Sequence, residues 1–341
     1  MSKKTGVLIV NLGTPDSPAT SDVKRYLSEF LNDPRVIDIN PIGRKVLVNG
    51  IIVPTRGPKS AKEYKKLFKI GNGASPLLTY GKNLLKLIRE IGHKQFDVEL
   101  AMRYGNPSMN SILEKMRLAN YDQIIIFPLY PQYASATTGS IIEKAFKIIS
   151  KWWVIPEIKV IGQFYDDFRY LDCVKKVASS FDMSEYDHIL FSYHGVPERH
   201  VNKVYLDGTP CKDHHCDQEI NNENKLCYKA TCYATTAHLS KMLNLSEDKF
   251  TTTFQSRLGR DPWLEPYTDQ TVEHLAKKGV KKMLVFSPAF VADCLETILE
   301  ISEENQEIFL ENGGERLDLV PALNDSEDWA KCVVKIIQDY I

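Results

Sequence analysis

Four of the chain's seven cysteines crowd into one polar segment. In TPCKDHHCDQEINNENKLCYKATC, residues 209–232, Cys211, Cys216, Cys227 and Cys232 are spaced C-x4-C-x10-C-x4-C. Two close pairs separated by a loop can offer four thiolates to one metal centre. The polar, charged surroundings argue against ordinary cysteine packing in a core. Zinc ribbons more often place two residues between paired ligands, so spacing alone leaves zinc and a [2Fe–2S] cluster both open. His214 and His215, between the first pair, are further candidate ligands.

Three other stretches carry chemistry. FSYHGVP places His194 at the end of an apolar run, before Gly195 and Pro197. A strand-end histidine can serve as general base or metal ligand because its pKa lies near neutrality. The alternative is a turn histidine bonded to nearby backbone. ADCLETILEISEEN, residues 292–305, read as a helix, stacks Glu296, Glu300 and Glu304 on one face, with Asp293 placed to cap it. Such a row can pass protons or a hard cation along a path, or be a solvated acidic face. PLYPQYASATTGS, residues 128–140, suits a helix start, either receiving an anion or simply capped. IIVPTRGPKSAKEYKKLF, residues 51–68, mixes apolar, proline and basic residues. It reads as a mobile lip against lipid or an acidic ligand, or as a loop entering a helix.

The elements that must position these residues are short β-branched runs alternating with helical stretches. They fall at 6–13, 97–105, 121–131 and 157–164, and again at 186–195, 249–259, 280–290 and 316–323. Runs apolar on both faces predict parallel sheets covered on both sides. The order also repeats: NLGTP is answered by YHGVP, RYGNP by RLGRDP, and IIIFPLYP by MLVFSPAF. This predicts an α/β fold of two similar doubly wound domains, 1–165 and 166–341, the second with a cysteine-rich insert at about 200–232 and a closing helix. Ligands in such sheets sit beyond the carboxyl ends of the strands. A formal net charge of −1 gives no reason to expect a nucleic acid partner. No apolar run is long enough for a membrane helix, and MSKKTGVLIVNLGTP reads as a first strand, not a signal peptide. The expected location is therefore the cytoplasm, where clustered thiols bind metal more readily than they pair.

Together the motifs resemble the ferrochelatase family, which inserts ferrous iron into a porphyrin. VNLGTP (10–15), PTRGPKSAKEY (54–64), GASPL (73–77), RYGNP (103–107), PLYPQYASATTGS, SYHGVP (192–197), TFQSRLG (253–259) and FVADCLETILEI (290–301) run in family order over nearly the whole chain. The resemblance implies two Rossmann-like domains flanking a porphyrin cleft that distorts the macrocycle. His194 is then the pyrrole base, and Glu296 shares in proton removal or metal delivery. Glu300 and Glu304 continue an acidic relay. Arg56, Tyr64, Ser75, Arg103 and Tyr104 contact porphyrin or shape its pocket. The segment 46–58 becomes a cleft-edge lip, with peripheral contact to the inner membrane as an option. The resemblance favours a [2Fe–2S] cluster on Cys211, Cys216, Cys227 and Cys232, with structural zinc as the alternative. Lacking the family's C-terminal dimerising extension, the chain is expected to be a monomer. Leu12, where coproporphyrin III enzymes often carry tyrosine, implies protoporphyrin IX as the substrate of haem synthesis. Cys294 stands where animal members have histidine, which puts a proton relay there in doubt. The rivals are a coproporphyrin III or other tetrapyrrole chelatase, and a porphyrin- or haem-binding protein without catalysis.

Overall fold

A computed structural model describes residues 3–257, 259 and 261–341. Leu258 of the TFQSRLG motif lies outside them. The chain forms two compact units. The first comprises 1–130, 135–163 and 324–341, and the second comprises 131–134 and 164–323.

The first unit holds a parallel sheet of β1 (Thr5–Thr14), β2 (Asp97–Gly105), β3 (Gln123–Pro128) and β4 (Glu157–Val160), in the order β2-β1-β3-β4. The second repeats that topology with β5 (His188–His194), β6 (Phe250–Gln255), β7 (Lys282–Phe286) and β8 (Arg316–Leu319), in the order β6-β5-β7-β8. The eight strands fall in the eight runs legible in the sequence. Both faces of the central strands are buried because helices cover both sides. Leu8, Val10, Ile124 and Ile126 pack with Met109, Leu113, Ile141 and Ile149 of the first unit. Leu190, Met283 and Val285 pack with Val272, Ile301 and Phe309 of the second.

Gly13 lets β1 and β2 close up at their carboxyl ends. Its φ is +114°, and a Cβ there would lie 1.8 Å from the Tyr104 carbonyl oxygen, so no other residue fits.

Two expectations change. The closing helix Glu327–Gln338 groups with the first unit, where it packs on helix Pro76–Ile91. Gln123 Nε2 and Lys159 Nζ both donate to the Tyr340 carbonyl, at 2.8 and 2.7 Å, and Asn83 bonds Asp325 at 2.7 Å. An amphipathic pattern states that one face is buried, not which neighbour buries it. The expected lip is a continuous helical path: Pro41–Lys45, a π-helical Val46–Ile52, then Val53–Ile70. The π register, in which the Val53 N–H donates to the Val48 carbonyl, lies immediately before Pro54. Proline lacks an N–H, and the wider turn absorbs the break in the ladder.

Candidate active site and metal centre

β5 ends at His194, and Gly195 turns the chain tightly beside β6. The Gly195 N–H donates to the Gln255 carbonyl at 2.7 Å, and a Cβ at 195 would lie 2.9 Å from that oxygen. The His194 Nδ1 lies 2.7 Å from the Gly195 carbonyl oxygen. A carbonyl only accepts, so Nδ1 carries the hydrogen and the Nε2 lone pair is left to accept a proton. The Tyr228 hydroxyl donates to the His194 carbonyl at 2.9 Å, and the Phe290 ring stands 6.4 Å from the imidazole. Tyr228 thus holds the backbone of the strand end, while the Gly195 carbonyl holds the ring.

The carboxylates come from the segment after β7. Glu296–Asn305 is π-helical, continuing as Gln306–Glu311. Its i→i+5 ladder still groups residues four apart, and π turns are frequent at functional sites. Gln255 Nε2 donates to the Glu296 carbonyl at 3.2 Å and to Glu300 Oε2 at 3.3 Å. The Ser256 hydroxyl donates to the same Oε2. Ser256 reaches it from a left-handed backbone, with φ at 61°. Burial raises the Glu300 pKa, and the charge of Glu296 raises it further. The Ser256 hydroxyl, His194 once it has taken a proton, and Gln255 pull the other way. His194, Glu296 and Glu300 therefore form one electrostatic group, while Glu304 sits exposed at its outer end. Asp293 accepts from the Thr297 hydroxyl at 2.9 Å and the Ala322 N–H at 3.3 Å, tying the helix start to the loop after β8. Burial and the charge of Glu296 hold the Cys294 thiol well above its usual range.

In the first unit, Arg103 and Tyr104 lie on β2 and turn inward to Asp33. Arg103 pairs with Asp33 Oδ2, which also accepts from the Tyr104 hydroxyl at 2.9 Å and the Ser140 hydroxyl at 2.5 Å. Arg103 Nε donates to Ser140 Oγ at 2.6 Å. Tyr64 meets the Tyr26 ring edge-on at 6.0 Å, and Arg56 is exposed. Ser75 is buried at the start of helix Pro76–Ile91, and its Oγ has no partner among the described residues. Asp33, Ser140, Gln255 and Ser256 were not singled out in the sequence. Gln255 and Ser256 had a signal, the TFQSRLG turn matching RYGNP in the other half, whereas Asp33 had none.

The cysteine segment folds onto itself. A 3-10 turn spans Cys211–His214, His215 takes a left-handed conformation, and Cys227 starts helix Tyr228–Met242. The sulfurs of Cys211, Cys216 and Cys227 all lie within 4.8 Å of one another and are buried. Cys211 and Cys216 stand 3.5 and 3.7 Å from Cys227. The Tyr205 hydroxyl lies 2.7 Å from Cys216 Sγ, and His214 stacks on Tyr205 at 3.6 Å. Hydrogen bonds from the other two thiols push Cys227 down to about 3, while Cys211 and Cys216 are pushed up. A metal would displace the remaining protons.

Cys232 is not in this group: it is buried within the helix, with its thiol raised by burial. Five helical positions turn a side chain about 140° around the axis, which carries Cys232 away from Cys227. Neither His214 nor His215 joins the three sulfurs. The donor set fits a thiophilic metal on three thiolates, but does not bring in the fourth cysteine that a four-cysteine [2Fe–2S] cluster takes.

A family model described as Ferrochelatase matches residues 4–341. A Legionella pneumophila protein named Ferrochelatase is 41% identical over 338 residues, covering 99% of this chain and 100% of that one. One of the same name from Coxiella burnetii is 40% identical over 337 residues, covering 98% and 93%. Among solved structures, SirB from Bacillus subtilis, determined with Fe3+, shares the fold. Its TM-score is 0.56 at 9% identity, covering 98% of this chain and 95% of that one.

Proposed function

The chain belongs to the ferrochelatase family, enzymes that insert a metal into a tetrapyrrole, and from that premise we propose that it inserts ferrous iron into protoporphyrin IX to form haem. The carrying observation is the His194 ring, its Nδ1 spent on the Gly195 carbonyl, set in one charge group with Glu296 and Glu300. Pyrrole N–H groups are very weak acids, so a fixed acceptor lowers the barrier to losing them. His194 Nε2 takes the pyrrole proton. Glu296 receives a proton or exchanges water for itself on the incoming iron, and Glu300 and Glu304 carry the proton outward. Ferrous iron sheds water stepwise as oxygen and imidazole donors replace it. Arg56 and Tyr64 contact the porphyrin or shape its pocket, and buried Ser75 shapes it from within. Arg103 and Tyr104 act on it through the wall they build with Asp33. Leu12, half-buried on β1, favours protoporphyrin over coproporphyrin III. The protein works as a monomer in the cytoplasm or peripheral to the inner membrane.

The resident centre on Cys211, Cys216 and Cys227 is structural or sensory, since metal insertion exchanges no electrons. The resemblance favours [2Fe–2S]. The sulfur spacing favours a single ion, because a tetrahedral metal with sulfur bonds near 2.3 Å separates its ligands by about 3.8 Å. We take the single ion, of zinc type, as the better reading. Colourless anaerobic protein with one zinc supports it; two irons and two acid-labile sulfides restore the cluster.

The test of the enzyme is anaerobic ferrous-iron insertion into protoporphyrin IX, wild type beside His194→Ala, with coproporphyrin III as competitor. Haem formation that falls by about 10²–10⁴-fold in the variant supports the assigned base. Preference for coproporphyrin overturns the reading of Leu12. Tight porphyrin binding with no insertion of any divalent metal rejects the enzyme in favour of a carrier.

A further inference from the structure

KWWVIP, residues 151–156, joins helix Ser140–Ile149 to β4 and splits two adjacent tryptophans between opposite environments. Trp152 packs against the first unit's core beside Ile148 and Ile158. Trp153 is 101% exposed, followed by Val154 at 71% and Ile155 at 53%. Phe146, one turn back on the helix, is also exposed. The backbone is pinned on both sides of this tip. The Trp152 N–H donates to the Ile149 carbonyl at 2.9 Å, and the Glu157 N–H to the Asp122 carbonyl at 3.1 Å. A held, fully hydrated tryptophan with two aliphatic neighbours costs solvation free energy that folding does not recover.

The charges around the tip have one sign left over. Lys147 and Lys151 are exposed on the helix end that leads into it. Of the nearby carboxylates, Glu143 is shared between Arg35 and Lys147 and Glu157 between Lys3 and Lys159, while Asp122 accepts the Lys4 N–H; Lys144 adds a further cation beside Lys147 and Lys151. This surplus is local, because the whole chain carries a net charge of −1. An apolar tip carrying tryptophan and collared by lysine matches the boundary of an anionic bilayer, where indole sits at headgroup level and lysine meets phosphate.

We propose that Trp153, Val154 and Ile155 form a wedge that inserts into an anionic lipid surface, with Lys147 and Lys151 contacting headgroups. It lies at the amino-terminal edge of the first sheet, since only Pro156 separates Ile155 from β4. The exposed apolar residues of the helical lip, Ile42, Val46 and Ile51, belong to other elements, Pro41–Lys45 and Val46–Ile52.

The experiment is co-sedimentation of the full chain with vesicles of pure phosphatidylcholine and with vesicles containing phosphatidylglycerol. Wild type is expected to bind the anionic vesicles and not the neutral ones. Trp153→Ser with Ile155→Ser is expected to weaken binding at least about tenfold with an unchanged unfolding midpoint, because these side chains touch water, not core. Lys147→Gln with Lys151→Gln is expected to cost roughly fivefold per charge at low salt. Ile42→Ser with Val46→Ser is expected to leave binding intact. The proposal is overturned by wild type that ignores anionic vesicles, or by tip variants that bind as wild type does. A loss confined to the lip variant also overturns it. So does a wild-type dimer, free of lipid, that the tip variant dissolves, which would assign the wedge to a second copy of the chain.

Discussion

Asp33→Asn tests how Arg103 and Tyr104 serve the enzyme. Asp33 Oδ2 accepts from the Arg103 guanidinium, the Tyr104 hydroxyl and the Ser140 hydroxyl, and its Oδ1 accepts the Arg35 N–H at 2.8 Å. Side-chain exposure is 3% for Asp33 and 12% for Arg103, so water does little to replace a lost partner. Removing one member of a buried ion pair costs about 3–5 kcal/mol. Asparagine either keeps its oxygen for Arg103, Tyr104 and Ser140 and turns its N–H2 toward the Arg35 N–H, or serves Arg35 and turns the N–H2 toward the guanidinium and the two hydroxyls. The expected loss lies at the low end, about 3 kcal/mol, or a factor of about 150 in the folding equilibrium. For a unit of this size that is about 6–12 °C in melting midpoint. The assay is denaturant unfolding of both proteins, followed by kcat and KM for iron insertion on the fraction still folded. The expected result is the stability loss with KM for porphyrin nearly unchanged. A loss below about 1 kcal/mol together with a large rise in KM would refute the reasoning: Arg103 would then be a direct porphyrin contact that only incidentally meets Asp33.

Glu300→Gln keeps the acceptor for Ser256 and removes the titration. The folded-state pKa of Glu300 is raised above its usual 4.5, so its contribution to stability is present below that value and is lost as pH rises through the folded pKa. The variant should therefore gain stability relative to wild type as pH rises from the usual carboxylate value through the raised folded-state pKa, read from denaturant midpoints; a gap that is flat with pH contradicts the burial of the charge. Cys227→Ser should abolish the resident metal in anaerobically purified protein, whereas Cys232→Ser should retain it; equal loss in both would place Cys232 back among the ligands. Gly13→Ala should cost at least about 3 kcal/mol, visible as loss of soluble folded protein, because its Cβ would fall on the Tyr104 carbonyl.

The strands were legible because each is apolar on both faces and ends in glycine or proline, and His194 was legible because it stands at such an end. The π turns were not. Apolar spacing tolerates 3.6 or slightly more residues per turn, so nothing in VLVNGII or ETILEISEEN states which ladder closes. Asp33 shows the same limit: a lone acid before proline reads as a turn, and only the fold brings Arg103 to it across 70 residues. The four-cysteine set was three-quarters legible. Spacing found the thiols, but whether Cys232 faces its neighbours depends on where the helix begins, and it begins one residue after Cys227.

The last helix, 327–338, completes the unit that opens the chain, with the second unit laid between residues 163 and 324. On the ribosome this inverts the order of completion. The second unit has all its parts as soon as residue 323 emerges, while the first waits with helix Pro76–Ile91 uncovered. At 5–20 residues per second that wait is on the order of 10–30 s. During it, the side of that helix that the last helix will cover, where Asn83 meets Asp325, stays open to water. A stop codon a dozen residues early would leave the half made last intact and the half made first unfinished.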